Sequence, residues 1–202
     1  MSLYPVMLHG EGIVAVVVGG GAVATRKALG LLEAGATVRV VALRPSDALR
    51  AAAADPRLRL EARAFAPDDL DGATLVVAAT DDAAVNGEVA RRAGERGLLV
   101  NVADRPDAGT FSTAAVHRAG GLVVAVGAGG VPTAAARVRD LIAARLDARY
   151  ADAIERLAAV RTRLLGGGDA DAWRRAAAEL TGPDFAAAVE SGTFAERVRQ
   201  WG

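Results

Sequence analysis

Gly19-Gly20-Gly21-Ala22-Val23-Ala24 follows directly on the apolar run Ile13 to Val18 and places small residues at a G-x-G-x-x-A spacing. That spacing suits a strand that turns sharply into a helix and offers main-chain N–H groups to an anion. Gly19 permits the tight turn, Gly21 lets the backbone approach a pyrophosphate, and Ala24 lets the helix sit close to the strand. The helix N-terminus adds the positive end of its dipole. A glycine loop alone also serves turns that hold nothing. Here the strand before it, the helix after it and a second strand downstream favour a dinucleotide. The second strand ends in Val40-Val41-Ala42-Leu43-Arg44, with no acid to accept from a ribose 2′-hydroxyl. Leu43 and Arg44 are expected beside the adenosine, and because Arg44 would also admit a 2′-phosphate, this position does not choose between NAD and NADP.

Asp104 closes Asn101-Val102-Ala103-Asp104 behind another apolar run, at what should be the carboxyl end of a sheet, where open α/β folds place their ligands. From the residues alone the favoured reading is a turn or capping acid before Arg105-Pro106. Thr80-Asp81-Asp82 occupies a similar place after Thr74 to Ala79 and has the look of a helix cap with acids in the first turn, worth about 1 kcal/mol. Gly127-Ala128-Gly129-Gly130 opens a helix with Pro132 in its first turn, a second candidate cluster of N–H groups or simply a flexible helix start. Arg105, Arg118 and Arg137 each read, taken alone, as a solvated surface arginine. His9 and His117 read as loop or surface histidines.

The elements that must position these groups alternate. Ile13 to Val18 is continuously apolar, as in a strand covered on both faces, and Ala22 to Glu33 has helical spacing that stops at Ala34-Gly35. Thr37 to Ala42 completes a β-α-β unit. Ser46 to Ala54 and Asp82 to Arg96 read as helices; Leu58 to Ala62, Thr74 to Ala79, Leu98 to Ala103 and Leu122 to Val126 read as strands. Before them, Pro5 to Leu8 reads as a short strand joined to Ile13 to Val18 through the turn His9-Gly10-Glu11-Gly12. Strands alternating with helices predict a Rossmann-type α/β fold, a doubly wound and mostly parallel sheet. A helix is predicted from Thr133 to about Tyr150 and continues in register to Leu165, and short helical segments follow the break at Gly166-Gly167-Gly168.

Lys plus Arg and Asp plus Glu balance at 24 each, which argues against nucleic acid or an anionic membrane as partner. Lys27 is the single lysine; the remaining cations are arginines, whose planar fork suits an acidic small molecule. Without cysteine there is no disulfide, thiolate zinc site or cysteine nucleophile, and two histidines make a histidine metal site an unfavoured reading, so no metal ligands are assigned. Met1-Ser2-Leu3-Tyr4-Pro5 shows no signal core and no apolar run reaches about 18 residues, so a soluble cytoplasmic protein is expected.

Taken together, Tyr4-Pro5, the stretch Val18 to Lys27, Leu32-Glu33-Ala34-Gly35-Ala36, Ala78-Ala79-Thr80-Asp81-Asp82, Asn101-Val102-Ala103-Asp104, and Gly129-Gly130 before a helix holding Arg137 resemble the precorrin-2 dehydrogenase/sirohydrochlorin ferrochelatase family, which includes the N-terminal module of sirohaem synthase. The likeness is good to about residue 140 and loose beyond. It implies NAD-dependent oxidation of precorrin-2 to sirohydrochlorin on the sirohaem or cobalamin route, by a homodimer. An NAD-binding Rossmann domain over 1–113, a dimerisation segment over 114–150 and a helical C-terminal region over 151–202 would make up the chain. Gly19, Gly20, Gly21, Ala22, Val23, Ala24, Leu43, Arg44 and Thr80 would hold NAD, and Asp104 matches the family's essential carboxylate, as base or as positioning group. Arg105, Arg118 and Arg137 would meet the tetrapyrrole's carboxylates. A separate methyltransferase is expected upstream. Several relatives carry Ser where Gly127 or Ala128 stands, and Ala114 replaces a family proline. Two alternatives stay open: an enzyme that also inserts Fe²⁺ into sirohydrochlorin, and an NAD-binding regulatory module without catalysis.

Overall fold

The computed structural model describes residues 3–201; Met1 and Ser2 of the N-terminal stretch and Gly202 at the end of the helical region lie outside the described residues. The chain forms two compact units that divide between Thr113 and Ala114.

The first unit is a five-stranded sheet with helices. In chain order it runs β1 (Val14–Val18), α1 (Ala22–Glu33), β2 (Thr37–Val41), α2 (Asp47–Ala52), β3 (Leu58–Glu61), β4 (Leu75–Ala78), α3 (Ala83–Glu95) and β5 (Leu99–Val102). The strand order is β3-β2-β1-β4-β5, and every pair is parallel. This is the expected doubly wound Rossmann-type sheet. The order reverses between β1 and β4, so their carboxyl ends flank the switch-point crevice of such folds.

Successive strand residues point to opposite faces, and both faces of this sheet are covered. Ala15 and Val17 of β1, with Leu75 and Val77 of β4, join the core that contains Ala24, Ala28 and Leu32 of α1. Val16, Val18, Val76, Ala78, Val100 and Val102 form the opposite core with Val89 and Ala93 of α3. The continuous apolar character of β1 follows from this double burial; each valine removed from water contributes about 1.5–3 kcal/mol.

Pro5 to Leu8 forms no strand. Its side chains are exposed and Gly10–Gly12 is a turn of 3-10 helix. The reason lies in β1, whose two hydrogen-bonding edges are already taken by β2 and β4, leaving no edge for an antiparallel hairpin.

The second unit contains β6 (Ala115–Ala119) and β7 (Leu122–Val126), paired antiparallel, then α4 (Pro132–Ala143), α5 (Ala148–Gly166), α6 (Ala170–Leu180), α7 (Phe185–Ser191) and α8 (Phe194–Arg199). Strand β6, absent from the sequence reading, pairs with the expected β7. The helix predicted from Thr133 to Tyr150 is broken: α4 ends at Ala143, and Asp147 caps a new helix by accepting from the Arg149 N–H at 2.9 Å. Helix α5 then runs unbroken past residue 151. Around it Tyr150, Leu157, Val160, Leu180 and Phe194 build a separate core, with Phe185 edge-on to Tyr150 and to Phe194.

Candidate functional site

At the carboxyl edge of the sheet the chain leaves β1 through Gly19, whose φ of 131° lies outside the range of ordinary side chains, and a Cβ there would meet Ala79 O at 2.2 Å. Gly20, to which the sequence reading gave no separate duty, is equally constrained: a Cβ would fall 2.3 Å from Arg44 O. The close approach it permits lets the Ser46 N–H donate to Gly20 O at 3.1 Å, while the Gly19 N–H donates to Val41 O at 2.9 Å. Ser46 caps α2 and its hydroxyl lies 2.8 Å from that of Thr25. The loop is thus braced from behind by the end of β2.

Gly21 differs. A Cβ built there meets nothing within 4 Å, so the space in front of the loop is open. Gly21 is the N-cap of α1, no side chain caps the helix, and no acid stands in its first turn. Exposed Ala22 and Val23 flank that opening and buried Ala24 sits against the sheet. Open space, uncapped N–H groups and no competing carboxylate fit a pyrophosphate. Leu43 and Arg44 are exposed on the neighbouring loop after β2.

Asp104 stands two residues beyond β5, and its carboxylate Oδ1 accepts from Asn86 Nδ2 at 3.1 Å. Oδ2 has no hydrogen-bond partner among the described residues, and Asp104 as a whole is exposed. Asn86, on α3, is 1% exposed and was not singled out in the sequence. Its signal was a polar residue in the buried stripe Asn86, Val89, Ala93. The same amide holds Thr80: Oδ1 accepts from the Thr80 N–H at 3.0 Å and lies 2.8 Å from Thr80 Oγ1, and Nδ2 donates to Thr80 O at 3.1 Å. Asp82, not Thr80, is the cap of α3, accepting from the N–H groups of Ala84 and Val85.

Asn101 faces the other side of β5. It is 5% exposed, and its Oδ1 accepts from Lys27 Nζ at 2.7 Å while its Nδ2 donates to Phe111 O at 3.0 Å. Lys27 also donates to Thr113 Oγ1 at 3.0 Å. Burial, aided by the Arg26 charge, lowers the Lys27 ammonium to about 8. Neither residue has a role legible in its own motif, because their meeting depends on α1 packing across the sheet.

Gly19 to Ala24, spanning the first loop and the first turn of α1, and Leu43, Arg44, Thr80 and Asp104 on loops therefore lie at one edge of one unit. Arg105 is there too, its Nη2 lying 3.2 Å from where a Cβ on Gly87 would stand. Arg118 on β6 and Arg137 on α4 belong to the second unit. Among the described residues no group of three or more acids or histidines could hold a metal ion. No helix among them is long and apolar enough to cross a membrane.

A protein-family model described as "Putative NAD(P)-binding" matches residues 6–115, more than half of the chain and all of the five-stranded sheet. The chain belongs to this NAD(P)-binding family. Within the family it is similar to siroheme synthase of Methylobacillus flagellatus, 40% identical over 151 residues that make up 74% of this chain and 32% of the relative. Siroheme synthase of Pseudomonas entomophila is 40% identical over 163 residues, 81% of this chain and 35% of that one. The chain thus spans about a third of the length of the curated relatives it matches. Among solved structures it is similar to SirC, a precorrin-2 dehydrogenase, with a TM-score of 0.80 and 26% identity over 98% of this chain and 100% of that one. The family indicated by the sequence motifs is the one these relatives represent.

Proposed function

We propose that this protein oxidises precorrin-2 to sirohydrochlorin with NAD⁺, and that Asp104 is its catalytic residue. The observation that carries the reading is a carboxylate with one unpartnered oxygen, Asp104 Oδ2, at the same sheet edge as an open and uncapped pyrophosphate cradle. The likeness to SirC over nearly the full chain and to siroheme synthases supports the choice of substrate.

The first turn of α1 would hold the pyrophosphate through its N–H groups, Leu43 and Arg44 would border the adenosine, and Thr80 would line the crevice on the β4 side. Bound NAD⁺ supplies the hydride acceptor. Oxidation of precorrin-2 removes a hydride and a proton, and in this reading Asp104 Oδ2 takes the proton. Arg105 is the proposed ligand for a substrate carboxylate; Arg118 and Arg137 keep that role on charge alone. The protein is proposed to be a cytoplasmic homodimer with 114–150 as its dimerisation segment, supported by the exposed Val131, Val138 and Leu141 at and along α4.

The test is turnover of precorrin-2 followed by absorbance, with NAD⁺ affinity measured separately. Asp104→Ala is expected to lose turnover by about 10²- to 10⁴-fold, as for a general base, while binding NAD⁺ as the wild type does. A wild type that binds NAD⁺ and leaves precorrin-2 unchanged would instead mark a regulatory module.

A further inference from the structure

Asn86 is a fully buried polar side chain in a helix otherwise packed through valine and alanine, and all of its hydrogen-bonding capacity is spent at the carboxyl edge of the sheet. Which way the amide faces is set by chemistry. The Thr80 main-chain N–H can only donate, so the atom 3.0 Å away must be the amide oxygen. The NH₂ group is thereby turned toward two acceptors, Thr80 O and Asp104 Oδ1, each at 3.1 Å. Rotating the amide would bring its N–H groups onto the Thr80 N–H and its oxygen onto Thr80 O and the Asp104 carboxylate, which loses the bonds to all three and keeps only the one to the Thr80 hydroxyl, with Asn86 itself buried from water.

We infer that Asn86 is a positioning residue, which fixes Asp104 through Oδ1 so that Oδ2 alone is presented to substrate, and which registers that oxygen against the Thr80 loop. This rests on the reading of Asp104 as the catalytic carboxylate. Asp104 has left the sheet and is exposed, so no packing orients its side chain; the one hydrogen bond from Asn86 does. Misplacing a reacting group by about 1 Å can cost ~10²-fold in rate.

Asn86→Asp keeps the acceptor for the Thr80 N–H and the side-chain volume but replaces the donor to Asp104 by a repelling oxygen; Asn86→Ala removes the whole amide. Both are to be made in the wild-type and in the Asp104→Ala background, with precorrin-2 turnover, KM for precorrin-2, NAD⁺ affinity and thermal midpoint recorded. In the wild-type background we expect kcat to fall about 10- to 100-fold with KM within about threefold. In the Asp104→Ala background the same changes should cost nothing further, since there is no carboxylate left to orient. Equal losses in both backgrounds, or full kcat in Asn86→Asp, would overturn the inference. Should Asn86→Ala not fold, Asn86→Asp alone decides. Full turnover in Asp104→Ala would instead remove the reading of Asp104 itself, a different failure from an inactive Asp104→Ala beside an active Asn86→Asp.

Discussion

Lys27 holds its ammonium partly out of water between Asn101 and Thr113, and this has a consequence for stability against pH. Its folded value of about 8 lies below the ordinary 10.5 of the unfolded chain. Between those values the unfolded state carries a proton that the folded state has shed, so stability rises with pH across that window and the burial penalty is fully present below 8. Lys27 keeps some contact with solvent, which screens the effect to about 1 kcal/mol. Relative to Lys27→Met, the wild type should gain on the order of 2–4 °C in thermal midpoint from pH 8 to 10.5, measured by circular dichroism. An unchanged difference between the two proteins would refute it. At this scale the sequence was half legible. Asp104 stood out because a motif closed on it, whereas Asn86 looked like one polar residue of a helix. Only the approach of α3 to the ends of β4 and β5 turns that residue into a contact with Thr80 and Asp104.

The glycine loop is an element in which three like residues have unlike duties. A methyl group on Gly20 must displace the main chain of Arg44, while one on Gly21 enters open space. Gly20→Ala is therefore expected to lower the thermal midpoint by several degrees, because backbone at 2.3 Å cannot yield as a side chain can. Gly21→Ala should leave the midpoint nearly unchanged and weaken NAD⁺ binding at least tenfold, because the methyl lies where the pyrophosphate must approach. Calorimetry and NAD⁺ titration separate the two; a Gly21→Ala protein with wild-type affinity would contradict the cradle. Strands and helices of the first unit were legible because the continuous apolar runs of doubly covered strands and the spacing of helices are local properties. Pro5 to Leu8 was misread because β1 has no free edge, a fact of sheet order and not of the segment itself. The break between α4 and α5 was missed because Asp147 is unremarkable until it accepts from the Arg149 N–H.

Over the whole molecule, residues through Thr113 enclose a sheet whose two faces are covered by helices of the same unit, and the family match covers 6–115. A fragment of residues 1–113 should fold, bind NAD⁺ and sediment as a monomer, whereas the full chain should self-associate through 114–150 if that segment is the dimerisation segment proposed above. Sedimentation velocity on both distinguishes this from association through the first unit, in which case the fragment would sediment as a dimer. The sequence by itself determined the alternation of strands and helices, the glycine loop and the place of Asp104 after its strand, since each is written in residues adjacent along the chain. Only the tertiary structure decided that Asn86 meets Asp104 and Lys27 meets Asn101. Partners 18 and 74 positions apart are brought together by the order and register of the elements between them, which no local pattern encodes.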